Sequence, residues 1–473
     1  MKSKAGRRRG SIVFFQNSGL KSGVPSERHT PLVESGMESG EARAGAEAPR
    51  DEYRARLERF RSAREHWGRR YRQFGNARLA TAAAAVCIAA VALGPGWISA
   101  WWLLAPALAF VALAVWHERI DRRLSKAGRG TAYYEQALAR VESRWMGAGN
   151  AGERFRDPHH IYSGDLDLFG KGSLFELISA ARTAVGERIL ASWLLAPGKL
   201  DDVKARQRAV AELRPRLDLR EEIALMGDEI RASVDDRLLQ KWGEQPPVKF
   251  FAGARAIALI LAAAALASFV LFWVELAPLA VFLLVLLAEI VFSFALRDSL
   301  RRAGAIETPS RELDLLRLIL ARLENERFAS PALEALRESL QTEGLPASPQ
   351  IQRLERLVHH LESAENDFFK PIAWPLLWVP QFAMAIEQWR ARYGRQIAQW
   401  IAAAGEFEAL CSLASFAYEL PDSSFPELTE GGPVFDAAGL VHPLIPRGEA
   451  VANDVALGGA MRLWIVSGSN MSG

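Results

Sequence analysis

The stretch Leu79-Ala-Thr-Ala-Ala-Ala-Ala-Val-Cys-Ile-Ala-Ala-Val-Ala-Leu93 continues through Gly94-Pro-Gly96 into a second apolar run that ends at Trp116. As a helix, each run is about long enough to cross the hydrocarbon core of a bilayer. A soluble buried hairpin is the alternative structure. Because no charged residue lies between Leu79 and Trp116, the sequence favours a transmembrane hairpin at 79–117.

A second apolar hairpin is predicted at 254–297, with its turn near Glu275-Leu-Ala-Pro278. Glu289 is an ionisable residue inside this hairpin, and such residues in membrane segments are often functional. For Glu289 we expect a structural role instead, either pairing with a neighbouring helix or reaching toward the membrane surface.

Basic residues flank both hairpins, whereas the two turns contain neither Lys nor Arg. The positive-inside rule then predicts that both hairpins enter the bilayer from the cytoplasm and return to it. We predict a multi-pass protein of the inner or plasma membrane, with its termini and soluble segments in the cytoplasm. The flanking residues are Arg69, Arg70, Arg72, Arg78, Arg119, Arg122, Arg123, Lys126, Lys249, Arg255, Arg297, Arg301 and Arg302.

Composition narrows the class of protein. The chain has 473 residues, and its 58 basic residues are nearly balanced by 55 acidic ones, which argues against a surface built for nucleic acid. Cys87 and Cys411 are the only cysteines, so no disulfide framework is implied and a reducing compartment is expected.

The N-terminal region divides into a tail and a helix. Residues 1–50 lack periodicity and are predicted to be disordered, with Met37 as a second candidate start. Residues 51–78 form a predicted amphipathic charged helix, and 118–164 a helical linker. The apolar positions of the amphipathic helix, at helical spacing, are Tyr53, Leu57, Phe60, Trp67, Tyr71 and Phe74.

Residues 165–253 and 298–420 have helical patterns on either side of the second hairpin. Within 298–420, the stretch Pro371–Ile386 resembles a fifth span. Because it is short and three prolines interrupt it, we interpret it as a buried or membrane-adjacent segment of the core.

The C-terminal stretch Leu463-Trp-Ile-Val-Ser-Gly-Ser-Asn-Met-Ser-Gly473 has the form of a short strand followed by two glycines with four residues between them. This is the front of the phosphate-binding loop G-x-x-x-x-G-K-[S/T], in which backbone N–H groups surround the anion. The alternative is a strand that ends in a Gly/Ser-rich tail.

These stretches together resemble the MutS family of DNA mismatch-repair ATPases, whose phosphate loop typically reads G-P-N-M-G-G-K-S-T. Asn470 and Met471 match that loop, whereas Ser469 and Ser472 depart from it. The other matches, in family order, are Thr183, Gly186, Leu190, Trp193, Leu194, Pro197, Arg206 and Gln207, then Glu408–Ala417, Phe425–Leu428, His442–Leu444 and Asn453-Asp454. Hairpin 254–297 matches nothing in the mismatch-repair enzymes.

The two apolar hairpins predict four transmembrane helices in a mainly α fold. The resemblance implies a helical MutS-type core that acts as a lever. It also implies that residues 421–473 contain the first strands of an α/β P-loop ATPase domain, truncated within the loop. ATP with Mg²⁺ would bind between the ATPase domains of a homodimer. DNA is a partner that the family implies but that the composition supports only weakly.

The family's nucleotide residues map onto Gly468, Ser469, Asn470, Met471, Ser472 and Gly473 at the phosphates, and onto Asn453 and Asp454 near the base. His442 is interpreted as shaping a turn. Ala450 stands where the family often has an adenine-stacking aromatic, and Val441 replaces an Arg. Because the loop Lys, the Walker-B acids and the signature segment would lie beyond Gly473, we expect no ATP hydrolysis by this chain alone. A membrane scaffold or transport-type protein is the alternative function.

Overall fold

The computed structural model describes residues 38–93, 99–226, 236–303, 310–342, 344–367, 369–432, 434–459 and 461–465. In this part of the chain the structure is mainly helical. The helices, in chain order, are α1 (Glu38–Leu93), α2 (Leu104–Val141), α3 (Leu174–Ile178), α4 (Ala184–Leu195), α5 (Leu200–Leu213), α6 (Leu217–Leu225), α7 (Asp236–Glu244), α8 (Ala254–Trp273), α9 (Leu279–Ala303), α10 (Ser310–Glu324), α11 (Pro331–Ser339), α12 (Ala347–Ser363), α13 (Lys370–Ala373), α14 (Trp378–Tyr393) and α15 (Ile397–Glu419).

Four short strands accompany these helices in two antiparallel pairs: β1 (Gln341–Thr342), β2 (Leu345–Pro346), β3 (Phe435–Leu440) and β4 (Asn453–Leu457). Residues 48–421 form one compact unit, and the segments before and after them form a second. Both apolar hairpin sequences and nearly all helices belong to the larger unit.

Helices α1 and α2 each join a charged part to an apolar part without a break. Their aromatic residues meet in reverse order along the two helices: Phe74 stacks with Trp116 and Phe60 with Tyr134. The apolar face predicted for 51–78 is buried at Tyr53, Leu57 and Phe60. Helix α1 begins at Glu38, earlier than the predicted boundary, and an Ala- and Glu-rich stretch suits a helix. Residues 1–37 of the predicted tail lie outside the described residues.

Helices α8 and α9 also contact each other along their lengths. The rings of Phe269 and Phe282 lie 5.6 Å apart near the turn, and those of Phe251 and Phe292 lie 6.0 Å apart near the other end. Glu289 shares the buried face of α9 with Phe292 and Leu296. Its side chain is 1% exposed and neither carboxyl oxygen has a hydrogen-bond partner among the described residues, so it neither pairs nor reaches the surface.

Among the described residues, four helices are long and apolar enough to cross a membrane: α1, α2, α8 and α9. Most of their apolar side chains face outward. Ile260, Leu284 and Phe294, for example, are each about two-thirds or more exposed. Large exposed apolar surfaces are rare on soluble proteins and mark sites that contact a membrane or another protein.

Helix α15 forms the centre of the helical core. Trp400, Phe407 and Ala414 are fully buried, and buried residues occur on all sides of the helix, as expected for a helix surrounded by others. The apolar cluster around it combines residues of α4, α5, α10, α11, α12 and α14. The predicted helical core thus closes around its last helix.

Pro371–Ile386 is not a continuous span. It contains α13, a turn, and the first half of α14, where Met384 and Ile386 are buried. Leu377 and Met384 pack in one cluster with Ala254, Phe292 and Leu296 of α8 and α9. This placement beside the base of the second apolar hairpin agrees with the interpretation of a membrane-adjacent core segment.

In the second unit, β3 and β4 pair antiparallel with an irregularity between Ala437 and Leu440. The strand predicted at 463–466 is not formed at Leu463–Ile465, which have no regular secondary structure. A strand requires a partner for its backbone groups, and the described residues provide none there. Val466 lies outside the described residues.

The C-terminal end of α15 is fixed to α1 and α2 by a buried carboxylate. Arg140 Nε and Nη2 donate to Glu419 Oε2 and Oε1 at 2.8 and 2.6 Å, and the Tyr53 hydroxyl donates to Oε1 at 3.3 Å. Glu419 is 4% exposed. A bidentate Arg–carboxylate pair of this kind is strong and geometrically specific.

We predict that Arg140→Gln lowers the free energy of unfolding by about 3 kcal/mol, because it leaves the Glu419 carboxylate buried without its cationic partner. Arg122→Gln is the matched control on the same helix, since Arg122 pairs with Glu118 at the exposed surface and should change stability by less than about 1 kcal/mol. Thermal unfolding of the full chain in detergent, followed by circular dichroism, measures both. Equal effects of the two substitutions would contradict the prediction.

Candidate functional site

The residues predicted to bind the phosphates of a nucleotide, Gly468 to Gly473, all lie outside the described residues. The residues predicted to approach the base lie on β4, where Asn453 and Asp454 are both exposed. The structure therefore describes only the base-proximal part of the candidate nucleotide site.

The Asp454 side chain links β4 to β3, whereas the side-chain contact of Asn453 is local. Asp454 Oδ1 accepts a hydrogen bond from Gly439 N at 2.7 Å, and Asn453 Nδ2 donates to Val451 O at 3.0 Å. Gly439 has φ +64°, a conformation that glycine adopts readily. The carboxylate of Asp454 thus stabilises the irregular part of the hairpin, which leaves its second oxygen and the Asn453 carbonyl for a ligand.

His442 lies between these strands and accepts a hydrogen bond on Nδ1 from Leu444 N at 3.3 Å. That contact supports the interpretation that His442 shapes a turn. In the described residues no group of three His, Cys, Asp or Glu side chains is arranged to hold a metal ion.

The motif residues of the helical core meet at one junction between α4 and α15. Thr183 caps α4, and its side chain accepts a hydrogen bond from Gly186 N at 3.1 Å. Glu408 of α15 accepts hydrogen bonds from the N–H groups of Arg182 and Thr183 at 3.2 and 3.3 Å, and from the Thr183 hydroxyl. A carboxylate at a helix N-terminus satisfies donors that the helix itself leaves free.

Two glycines allow the helices to approach this closely. A Cβ on Gly186 would lie 2.7 Å from Glu408 Oε2, and a Cβ on Gly405 would lie 2.4 Å from Val185 Cγ1. Both distances are shorter than side chains tolerate, so each position requires glycine. The small residues on the two helices therefore determine where the carboxylate meets the cap.

The end of α4 is fixed by an Arg–Trp contact. The guanidinium carbon of Arg206, on α5, lies 4.3 Å from the ring centre of Trp193, within the range of a favourable cation–π interaction. Just beyond, the carbonyl of Leu194 accepts a hydrogen bond from the Tyr162 hydroxyl at 3.1 Å. The Trp-Leu and Arg-Gln parts of the motif thus join α4, α5 and the preceding loop.

Two serines of α15 also form hydrogen bonds across the junction. Ser412 Oγ accepts a hydrogen bond from Ala180 N at 3.1 Å, and Ser415 Oγ accepts one from Arg220 Nη1 at 2.8 Å. Arg220, on α6, is 2% exposed and also donates to Arg214 O at 2.9 Å. Ser412 and Ser415 therefore connect α15 to the segment that follows α3 and to α6 by polar contacts inside an apolar core.

The electrostatics of the junction are those of a structural joint. Burial raises the pKa of the Glu408 carboxyl, and its hydrogen bonds from Thr183 and Arg182 oppose that rise. Burial also raises the pKa of the Cys411 thiol to about 12, so Cys411 is held as an unreactive thiol. The arrangement holds helices in a fixed geometry and offers no free nucleophile.

Sequence reasoning identified Thr183 and Gly186 but not the role of Glu408, which lies 225 residues from Thr183. The sequence contained one signal for this role. Glu408 is one of two acidic residues, with Glu406, in the mostly apolar stretch 400–417 of α15. Acidic residues are seldom fully buried unless they have partners, and the donors of a capped helix are such partners.

We predict that Glu408→Ala lowers the free energy of unfolding by about 3 kcal/mol, because it leaves two part-buried backbone N–H groups without an acceptor and opens a cavity. Glu338→Ala on α11 is the control, since Glu338 is exposed and its replacement should cost less than about 0.5 kcal/mol. Denaturant unfolding of the full chain in detergent compares them. A loss for Glu408→Ala as small as that of the control would show that the junction does not depend on this carboxylate.

Comparisons with known proteins agree with this core. Residues 160–414, more than half of the chain, match the family model of MutS domain III. A stretch of 54 residues is 46% identical to the DNA mismatch repair protein MutS of Acaryochloris marina (strain MBIC 11017), a match that covers 11% of this chain and 6% of that protein. No solved structure matches the chain. The matched range contains the junction of α4 with α15, so the chain belongs to the MutS family through its domain III.

Proposed function

We propose that this protein is a membrane-anchored member of the MutS family in which nucleotide bound by residues 453–473 is coupled, through the helical core, to the membrane. Family membership supports ATP and Mg²⁺ as ligands and a homodimer as the assembly. The proposal places α1, α2, α8 and α9 across the bilayer and the core in the cytoplasm.

The observation that carries the proposal is that contacts link α15 to both candidate anchors, and that residues 421–473 follow it in the chain. Its last residue, Glu419, is paired with Arg140 of α2, a helix that contains a candidate span. At its other end, a short turn connects it to α14, which packs on α8 and α9. The chain then leaves α15 directly for residues 421–473.

Such a helix can transmit displacement because it is buried and rigid. Packed cores change between discrete arrangements and do not deform continuously. A shift at the C-terminal end of α15 would therefore act on the Arg140–Glu419 pair and on the Glu408 junction together. This is the property expected of the lever that the family core provides.

The residues of this chain that could recognise ATP would bind it mainly through the placement of their backbone groups. Gly468 and Gly473 would let the backbone approach the phosphates, and the intervening N–H groups would donate to them. Asn453 and Asp454 would lie near the base. When bound, Mg²⁺ supplies charge neutralisation of the phosphates.

DNA is a weaker candidate partner. The family relationship suggests a mismatch-repair-like role, but the formal net charge of +3 gives little of the basic excess that phosphate binding requires. The basic residues near the apolar helices, such as Arg70 and Arg123, are accounted for by the membrane surface.

Membrane anchoring predicts that the protein stays in the pellet when membranes are washed with alkaline carbonate, because four apolar helices would be held by the bilayer. A peripheral protein of the same preparation is the control and should be released. Recovery of the chain in the supernatant would contradict anchoring.

If the chain binds nucleotide, Mg²⁺–ATP should raise the unfolding temperature of the purified chain in nanodiscs. At an ATP concentration a hundredfold above Kd, the free energy of unfolding should increase by about 2.7 kcal/mol. Gly468→Asp should abolish the shift, since its carboxylate would face the phosphates. Gly448→Asp, at an exposed glycine with open space around it, is the matched control and should retain it. If ATP has no effect on any of the three proteins while the chain stays in membranes, the alternative of a membrane scaffold is favoured.

A further inference from the structure

The turn between α12 and α14 presents an apolar surface outside the four long apolar helices. Ile372, Trp374 and Val379 are 55%, 53% and 45% exposed. No charged residue occurs between Pro371 and Ile386. Three exposed apolar side chains within eight residues, without a charged residue among them, favour contact with an apolar medium over water.

The position of this turn indicates the partner. Leu377, in the middle of the turn, is 4% exposed and packs with Ala258 of α8 and Phe292 of α9. Ala258 lies one helical turn, about 6 Å, inside the start of α8 at Ala254. The exposed residues on either side of Leu377 therefore lie beside the end of the apolar hairpin, where the hydrocarbon region gives way to headgroups.

The backbone of the turn is suited to a medium with little water. Pro371 and Pro375 have no N–H group. Ile372 N and Ala373 N both donate to Phe369 O at 2.9 Å, Trp374 N donates to Lys370 O at 3.1 Å, and Leu377 N donates to Trp374 O at 3.0 Å. These four donors are satisfied internally, as backbone donors at membrane depth must be.

Polar groups are found at the edges of the turn. Lys370 Nζ lies 2.6 Å from Asp367 Oδ1 at one edge. The indole of Trp378 donates to His360 O at 2.6 Å, which fixes the turn to the end of α12. An apolar tip with polar and aromatic flanks is the pattern of segments that lie in the membrane interface.

We propose that residues 370–379 form an interfacial wedge, inserted between lipid headgroups and acyl chains next to α8 and α9 in the leaflet that faces the helical core. The partner is the lipid bilayer. This inference rests on the proposed anchoring by α8 and α9. It adds a third point of attachment, on the helix that leads into α15.

The test uses cysteine variants labelled with an environment-sensitive fluorophore in nanodiscs that contain lipids spin-labelled near the headgroup end of the acyl chain. The background is Cys87→Ala, because Cys87 is exposed whereas Cys411 is buried. Ile372→Cys and Val379→Cys report on the wedge. Leu284→Cys, 67% exposed on α9, reports on anchoring.

Leu345→Cys is the matched control for an exposed apolar residue of the soluble core. It is 40% exposed and precedes α12, whose far end carries the His360 contact to Trp378. About 15 residues of helix separate the two ends, so Leu345 lies on the order of 20 Å from the wedge.

We expect spin-labelled lipid to quench the labels at 372 and 379 at least twofold more than the label at 345. Quenching at 284 together with values at 372 and 379 equal to that at 345 would overturn the wedge while leaving the anchoring intact. No quenching at 284 would overturn the anchoring itself, and the wedge with it. Because only the lipid carries the spin label, quenching at 372 and 379 identifies lipid, and not a protein partner, as the occupant.

Discussion

A single carboxylate inside an apolar helix determines how the helical core closes. Glu408 accepts two backbone hydrogen bonds and one hydroxyl hydrogen bond at the start of α4, where a helix has free N–H groups and a partial positive charge. Gly186 and Gly405 are required because any larger side chain would push the helices apart. The cap, the two glycines and the carboxylate therefore act as one unit, and each stabilises the junction only when the others are present.

Helix α15 connects this unit to contacts at both of its ends. Its middle holds the Glu408 junction, its C-terminal end holds the Arg140–Glu419 pair, and its N-terminal end follows α14 after a turn of three residues. Because buried residues surround α15 on all sides, a displacement at one end must be accompanied by a rearrangement at the others. A largely buried helix with polar contacts at fixed points is suited to transmit a change of position over its length.

Much of this architecture could be predicted from the sequence, for identifiable reasons. The four apolar helices follow from composition, and the helical core follows from periodicity and from the ordered matches between Thr183 and Ala417. The partner of Thr183 could not be predicted, because contacts between residues that are distant in sequence have no local signal. The strand expected at 463–466 illustrates the opposite problem: an apolar run predicts a strand only when another strand is available to pair with it.

The second apolar hairpin departs from the family pattern, yet it lies inside the matched range 160–414. The core accommodates it because its two ends meet: Ala254 at the start of α8 and Leu296 near the end of α9 pack in one cluster against Leu377 and Met384. The segment that enters the hairpin is held as well, since Val248 N donates to Glu387 Oε2 at 2.8 Å and Glu387 pairs with Arg390. Insertions whose ends are adjacent disturb a fold little.

All of these contacts to the hairpin are made by α14 and the turn before it, which lead through three residues into α15. Any motion of the hairpin relative to the core must therefore be absorbed by α14, and α14 cannot move without displacing the helix that carries Glu408.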